Sequence, residues 1–320
     1  MSGTTNFLKL EETRKKTGAV HPAGTATTAF VQPSATSVTE FPGKKDNDPE
    51  SPADPDVSVV PVVPVVPVVP LTRGIAAATE EIFSAKRFHL SKATAQIQRA
   101  MDPGTILGEQ FRILRTRLSL LKKQNGIKTI LVTSTVPQEG KSFMSYALAG
   151  VIAQEQGKRV VIIDADLRKQ GSGREYGLNP DINTIGTAQV LQGTSEFQKS
   201  LFKSSNPEFW FLPSGSLPPN PSELLSSPEM EKMLHLAAEK FDWIIVDSPP
   251  ALALSDPNLI APLCDAVVFV VRANSTPAKL ALEAMNKIGR ERICGVVLNR
   301  KKQMHSSRHY YQYYNYQKQK

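Results

Sequence analysis

Hydrophobic positions are distributed unevenly along the chain and divide it near residue 90. Residues 1–90 are rich in Thr, Ser, Pro and acidic residues and show little periodic hydrophobicity, a composition typical of disordered segments. Within them, the repeat PVVPVVPVVP at 61–70 places a proline at every third position, which matches the turn of a polyproline II helix. We interpret it as a semi-rigid spacer of roughly 30 Å; a docking ligand for a partner is the alternative.

A helical pattern begins at about residue 105. Its apolar residues are spaced by three or four positions: Leu107, Phe111, Leu114, Leu118 and Leu121. This spacing predicts an amphipathic helix, which we expect Gly126 to end. The predicted organisation is an unstructured region over 1–90, a linker over 91–104, a folded domain over 105–303 and a tail over 304–320.

After this helix, apolar runs alternate with helical stretches. The predicted strands are 128–134, 159–166, 209–215, 242–250, 265–273 and 293–300. Buried apolar strands separated by helices predict an α/β fold, with a mainly parallel sheet covered by helices on both faces. Ligands of such sheets bind beyond the carboxyl ends of the strands, and the polar motifs of this chain lie there.

Charge and composition exclude several classes of protein. The net charge is +8, but residues 301–320 alone hold five basic residues and no acidic one, so we predict a solvated basic tail and no nucleic-acid binding. No stretch reaches the ~20 apolar residues of a membrane helix, and the first residues lack the apolar core of a secretory signal. We therefore predict a cytoplasmic protein. Cys264 and Cys294 lie in apolar contexts and are predicted to be reduced core residues.

The segment KTILVTSTVPQEGKSF predicts a strand, a phosphate-binding loop and a helix. In such a P-loop, Lys141 neutralises the β- and γ-phosphates and the hydroxyl of Ser142 binds Mg²⁺. The strict pattern requires glycine six residues before the lysine, where this chain has threonine. The predicted nucleotide-binding residues of the loop are Thr135, Pro137, Gln138, Glu139, Gly140, Lys141, Ser142 and Phe143.

Two acidic motifs follow apolar strands. In VVIIDADLRK the apolar strand ends in Asp164 and Asp166, and in WIIVDSPP it ends in Asp247. Alternate residues of a strand project from the same face, so we expect the first two carboxylates to lie together, where they can hold Mg²⁺ or accept a proton from a hydroxyl. A single aspartate of this kind is more often a helix cap, but three of them beside a P-loop predict a metal–nucleotide site.

These motifs resemble those of the bacterial tyrosine kinases that regulate capsular and exopolysaccharide synthesis. TSTVPQEGKS, VVIIDADLRK and IIVDSPP resemble their Walker motifs, and LPSGSLPPNPSELLSSPEM resembles a segment specific to them. The resemblance implies a P-loop kinase that uses ATP and Mg²⁺. It implies Asp164 as the base for the tyrosine hydroxyl, and Asp166 and Asp247 as supports for Mg²⁺. It also places Asn299 and Arg300 near the adenine or ribose.

Two further segments carry the resemblance. GEQFRILRTRL matches the family's E-x-x-R-x-x-R helix through Glu109, Arg112 and Arg115. This match implies a homo-oligomer, for which a ring is one arrangement. The tail HYYQYYNYQKQK holds five of the seven tyrosines, and the resemblance makes it the autophosphorylation substrate of a neighbouring subunit. The implied phosphoacceptors are Tyr310, Tyr311, Tyr313, Tyr314 and Tyr316.

The chain also departs from the family pattern. Phe143 replaces a small hydroxyl residue, and Gln170 replaces a proline. Some members carry a membrane-spanning activator half, which is not found in this sequence, so we expect a separate membrane-embedded polysaccharide co-polymerase as activator, which would hold the kinase at the inner face of the plasma membrane. The rival interpretations are a ParA/MinD-like ATPase, which would have lysine at the position of Val136, and a non-catalytic nucleotide-binding scaffold.

Overall fold

A nine-stranded sheet organises the described part of the chain. The computed structural model describes residues 57–60, 86–88, 95–169, 185–204 and 207–300. The strands are β1 (Val57–Val60), β2 (Lys86–Phe88), β3 (Thr129–Ser134), β4 (Val160–Asp164), β5 (Phe202–Ser204), β6 (Trp210–Leu212), β7 (Trp243–Asp247), β8 (Ala266–Arg272) and β9 (Ile293–Asn299). The helices are α1 (Ala95–Met101), α2 (Ile106–Asn125), α3 (Lys141–Ala153), α4 (Thr187–Leu191), α5 (Pro221–Leu225), α6 (Pro228–Lys240), α7 (Asp256–Ile260) and α8 (Ala278–Ile288).

The sheet is mainly parallel. Its strand order is β1-β9-β8-β3-β7-β4-β6-β5-β2. The six strands from β9 to β6 pair in parallel, whereas β1 pairs antiparallel with β9 and β5 pairs antiparallel with β6. These six are the strands predicted from the apolar runs, so the predicted fold class is confirmed. The carboxyl ends of β3, β7 and β4 consequently meet at one edge, with β3 between β7 and β8.

Helices cover both faces of the sheet, and each face has its own apolar core. Ile130 and Val132 of β3 pack in a core shared with α1, α2 and α3, whereas Leu131 packs in a core shared with α6, α7 and α8. All three side chains are fully buried. Alternate strand residues thus serve opposite layers, which explains why the central strands read as continuous apolar runs.

Helix α2 forms as its sequence predicts. The hydroxyl of Thr105 caps its first turn by accepting from the amide of Gly108 at 2.9 Å. Gly126 ends it in the left-handed conformation at φ 72° and donates its amide to Lys122 at 2.9 Å. The predicted apolar stripe faces the core, with Phe111 fully buried.

The structure differs from the predicted organisation before residue 105. Helix α1 lies in the segment predicted as a linker, and its Ile97 and Ala100 are buried against α2 and α3. Strands β1 and β2 lie within 1–90. A seven-residue helix and strands of three or four residues are too short to show periodicity, and pairing with the sheet edges stabilises β1 and β2. The repeat at 61–70 and the tail at 304–320 lie outside the described residues. Among the described helices, none combines the length and hydrophobicity of a membrane-spanning segment.

Candidate functional site

The predicted phosphate loop connects β3 to α3 at the carboxyl edge of the sheet. Gln138 and Gly140 both have positive φ, 65° and 92°. Glycine is favoured at 140 by its positive φ, and a β-carbon there would lie 2.1 Å from Nδ2 of Asn299, which would have to move. Helix α3 begins at Lys141 without a side-chain cap, so the amides of its first turn and the positive end of its dipole are available to a phosphate.

Lys141 points towards the acidic motifs. Its Nζ lies 3.3 Å from Oδ2 of Asp166, and both side chains are largely buried. Burial disfavours the charged lysine, but Asp247, Asp166 and Asp164 outweigh that effect and raise its pKa above the ordinary value. The site therefore holds a stable positive charge where a P-loop requires one.

Asp247 ends β7 with its side chain fully buried. Oδ1 accepts from the hydroxyl of Ser145 at 3.3 Å, whereas Oδ2 has no hydrogen-bond partner among the described residues. Burial raises the pKa of this carboxyl, although Lys141 and the hydroxyl of Ser142 oppose the rise. An orphaned buried carboxylate oxygen beside a serine hydroxyl fits the oxygen ligands that Mg²⁺ prefers.

The protein alone does not complete a metal site in the part of the chain that the structure describes. No three His, Cys, Asp or Glu side chains there converge in a way that would hold a metal ion. A divalent ion at Asp247 and Ser142 would consequently need oxygens from a nucleotide and from water. This requirement is the usual one for Mg²⁺, which keeps several waters and binds substrate phosphates.

The first acidic motif lies beside Asp247. Asp164 is the last residue of β4 and pairs in register with Asp247. Asp166 lies beyond the strand end, so strand alternation does not explain its direction; instead its amide donates to Oδ1 of Asp164 at 3.1 Å. Both aspartates are buried. The structure thus brings together the three predicted acids and Lys141.

The side chains of several predicted nucleotide-binding residues pack against or hydrogen-bond to other parts of the protein. Phe143 is buried and packs edge-on against Phe111 of α2, with ring centroids 5.8 Å apart. The carboxylate of Glu139 accepts hydrogen bonds from the protein backbone. Nδ2 of Asn299 donates to the carbonyl of Glu139 at 2.7 Å, whereas its Oδ1 is buried with no partner among the described residues. Arg300 is exposed and has a positive φ of 58°.

One polar network near the site was not predicted. Arg168 donates to Asp256 through Nε at 2.6 Å and through Nη2 at 3.0 Å, and to the hydroxyl of Ser222 at 2.7 Å. Ser222 in turn donates to Asp256 at 2.7 Å. Burial alone would raise the pKa of Asp256, but the hydrogen bonds from Arg168 and Ser222 hold it below its usual range. The network joins the loop after β4 to α5 and α7, and its members are too far apart in sequence to form a motif.

The predicted interface residues lie on α2. Arg112 pairs with Glu109 and donates to the carbonyl of Pro103 at 2.9 Å. Arg115 donates to the carbonyl of Val151 at 3.0 Å and lies 3.1 Å from Glu155, which ties α2 to α3. The five predicted phosphoacceptor tyrosines of 304–320 lie outside the described residues.

Comparisons with known proteins match this region of the chain. A family model described as an AAA domain matches residues 127–290. The tyrosine-protein kinase YwqD of Bacillus subtilis is 35% identical over 213 residues, which cover 66% of this chain and 88% of that protein. The tyrosine-protein kinase etk of Escherichia coli K12 is 33% identical over 224 residues, which cover 69% of this chain but only 30% of that protein.

Solved structures of related domains agree with the fold. The kinase domain of the Escherichia coli tyrosine kinase ETK superposes with a TM-score of 0.59 at 32% identity, covering 64% of this chain and 82% of that one. The chimerical protein CapA2B2 also superposes with a TM-score of 0.59, at 27% identity, covering 69% of this chain and 94% of that one. The four matches named here each cover more than 60% of this chain.

Proposed function

We propose that this chain, which belongs to the family of bacterial tyrosine-protein kinases, transfers the γ-phosphate of ATP to tyrosines of its own C-terminal tail. The observation that carries this proposal is the convergence of Lys141 with the three carboxylates of Asp164, Asp166 and Asp247 at the P-loop. The tail supplies an acceptor, because five tyrosines lie between 310 and 316. By family resemblance, the activity regulates the synthesis and export of exopolysaccharide or capsule.

The site residues have different roles in phosphoryl transfer. Lys141 and the first amides of α3 hold the β- and γ-phosphates and balance their charge. Ser142 and Asp247, supported by Asp166, would hold Mg²⁺, which when bound neutralises charge on the leaving phosphate. Asp164 accepts the phenolic proton as the tyrosine oxygen bonds to the γ-phosphorus, the bond to the bridging oxygen breaks and ADP leaves. Asn299 and Arg300 are proposed to lie at the adenine or ribose.

The acceptor tail reaches the site of a neighbouring subunit in this proposal. Glu109, Arg112 and Arg115 of α2 contribute to the contact between subunits of a homo-oligomer. Each phosphate adds between one and two negative charges at neutral pH, so about three or four would reverse the five positive charges of 301–320. Multiple phosphorylation is therefore expected to weaken the assembly. A separate membrane-embedded co-polymerase is the proposed activator and would hold the kinase at the inner face of the membrane.

The test is phosphate mapping by mass spectrometry after incubation of the full chain with Mg-ATP. We expect phosphotyrosine within 310–316 in the wild type. None is expected in Lys141→Met or in a chain truncated before Tyr310. Lys232→Met is the matched control, because Lys232 is an exposed lysine of α6 that pairs only with Glu229 among the described acids, and it should match the wild type.

The outcomes separate this proposal from its rivals. Phosphotyrosine that persists in Lys141→Met would contradict the proposed site. ATP hydrolysis without phosphotyrosine, even with the cytoplasmic fragment of an activator, would favour a ParA/MinD-like ATPase. ATP binding without either reaction would favour a scaffold.

A further inference from the structure

Glu139 is a buried carboxylate inside the phosphate loop. It is 1% exposed, and its two oxygens accept three hydrogen bonds. Oε2 accepts from the amide of Val136 at 2.9 Å. Oε1 accepts from the amide of Arg272 at 3.0 Å and from the hydroxyl of Thr276. These three donors are neutral, and their hydrogen bonds compensate the cost of burying the carboxylate.

These bonds join the phosphate loop to two neighbouring strands. Arg272 is the last residue of β8, and Thr276 follows it in the turn before α8. The backbone carbonyl of Glu139 also accepts from Nδ2 of Asn299, at the end of β9. The carbonyl of Asn299 in turn accepts from the amide of Ala273 at 2.8 Å. The loop and the carboxyl ends of β8 and β9 therefore form one hydrogen-bonded unit.

The loop needs such support because of its backbone conformation. Gln138 and Gly140, the residues on either side of Glu139, both have positive φ. This conformation is uncommon for a residue other than glycine and persists where surrounding contacts hold it. Lys141 follows directly, so the orientation of the loop also sets the direction of the lysine and of the first amides of α3.

We propose that Glu139 is a positioning residue: its carboxylate, held by Thr276 and the amide of Arg272, fixes the phosphate loop in the conformation that binds nucleotide and does not itself contact the nucleotide. The proposal rests on nucleotide binding at the P-loop, which is part of the proposed function. It differs from the sequence-based prediction, in which Glu139 contacts the nucleotide.

The test compares Mg-ATP dissociation constants of the full chain by isothermal titration calorimetry. Thr276→Val removes one donor to the carboxylate without changing the loop, and Glu139→Gln replaces one acceptor oxygen with a donor. We expect each variant to weaken binding about tenfold, as the loss of a hydrogen bond to a charged group does. Thr276→Ser keeps the hydroxyl and should bind within about twofold of the wild type.

Two further variants isolate the positioning effect. In Glu139→Gln/Thr276→Val, binding should be no weaker than in the worse single variant, because both changes break one network. Thr194→Val is the matched control, since its hydroxyl bonds to the carbonyl of Gln189 in an exposed turn, and it should bind like the wild type. The melting temperature of each nucleotide-free variant is measured in parallel, and Thr276→Ser should restore both the melting temperature and the affinity that Thr276→Val loses.

Each contrary result has a distinct meaning. If Glu139→Gln weakens binding but Thr276→Val does not, Glu139 contacts the nucleotide directly and the positioning role is refuted. If Thr276→Val lowers binding and melting temperature together, and Thr276→Ser fails to restore binding, the network is merely structural. A wild-type chain that binds no nucleotide would overturn both this inference and the proposed function, whereas wild-type binding with unaffected variants would overturn only this inference.

Discussion

The ion pair between Arg168 and Asp256 allows a quantitative test of how the loops around the site are held together. The Asp256 side chain is fully buried, whereas the Arg168 side chain is 38% exposed. Arg168→Met keeps much of the aliphatic length of the side chain but removes both donors to the carboxylate. It leaves Asp256 with Ser222 as its remaining side-chain donor, at 2.7 Å.

The magnitude follows from this geometry. Removing one partner of a fully buried ion pair costs about 3–5 kcal/mol. Water screens the exposed part of the guanidinium, and the remaining hydroxyl partly satisfies the carboxylate. Both effects make the cost smaller than that of a fully buried pair. We therefore expect Arg168→Met to lower the free energy of unfolding by about 2–3 kcal/mol at pH 7.

The effect should depend on pH in a defined direction. Because Arg168 and Ser222 hold the pKa of folded Asp256 below its usual range, their stabilisation is present above the unfolded pKa of ~3.9. It is lost as the pH falls through the lower folded pKa. The difference in stability between the wild type and Arg168→Met should consequently shrink below about pH 4.

Urea unfolding followed by circular dichroism measures this difference across a pH series. The matched control is Arg159→Met, because Arg159 is 57% exposed and lies 3.8 Å from Asp242. Such a pair contributes about 1 kcal/mol or less. If Arg168→Met at pH 7 is no less stable than this control, or if its deficit grows on acidification, the reasoning about the buried carboxylate is refuted.

Three other changes test the site and the core. In Asp247→Asn, Mg²⁺ should no longer strengthen ATP binding, and phosphotyrosine should be lost. Calorimetry of ATP binding with Mg²⁺ and with EDTA measures the Mg²⁺ dependence. An unchanged dependence would exclude Asp247 as a ligand. Phe111→Ala removes a fully buried ring and its edge contact with Phe143. Urea unfolding should therefore show a free energy of unfolding that is lower by about 3–5 kcal/mol. A decrease below ~1 kcal/mol would contradict the packing of this ring. Cys264 is buried, whereas Cys294 is partly buried. Burial raises the thiol pKa of both, that of Cys294 to about 12, so Cys264 should not react with iodoacetamide at pH 8 until the chain unfolds, and Cys294 should react slowly. Rapid native labelling of Cys264 in mass spectra would refute its burial.

Local sequence patterns predicted the centre of the fold and the acidic side of the site. Strands β3, β7 and β8 are buried on both faces and therefore appear as apolar runs, and α2 shows its apolar stripe because its opposite face is exposed. Asp247 was found because it ends an apolar strand, and Lys141 because its Gly-Lys-Ser motif lies in the loop after one. These features depend on neighbouring residues, which a linear pattern records.

Other features depend on contacts between distant segments. Strand β5 has only three residues and forms by pairing with β6 and β2. The partners Arg168 and Asp256 are 88 residues apart. Glu139 was correctly placed in the loop, but the direction of its carboxylate is set by Thr276, 137 residues later. Sequence spacing indicates which residues belong to such a site, whereas tertiary packing sets the direction of each side chain.

The strand ends on the two sides of β3 have different roles at the phosphate loop. On one side of β3, the ends of β7 and β4 supply the carboxyl groups around Lys141, which act on charge that changes during phosphoryl transfer. On the other side, the ends of β8 and β9 supply backbone amides, a hydroxyl and the amide of Asn299, which do not titrate and hold the loop through Glu139. Variants on the acidic side should therefore impair transfer or metal dependence, whereas variants around Thr276 should impair affinity for nucleotide. A variant of Thr276 that abolished transfer while binding Mg-ATP normally would contradict this division.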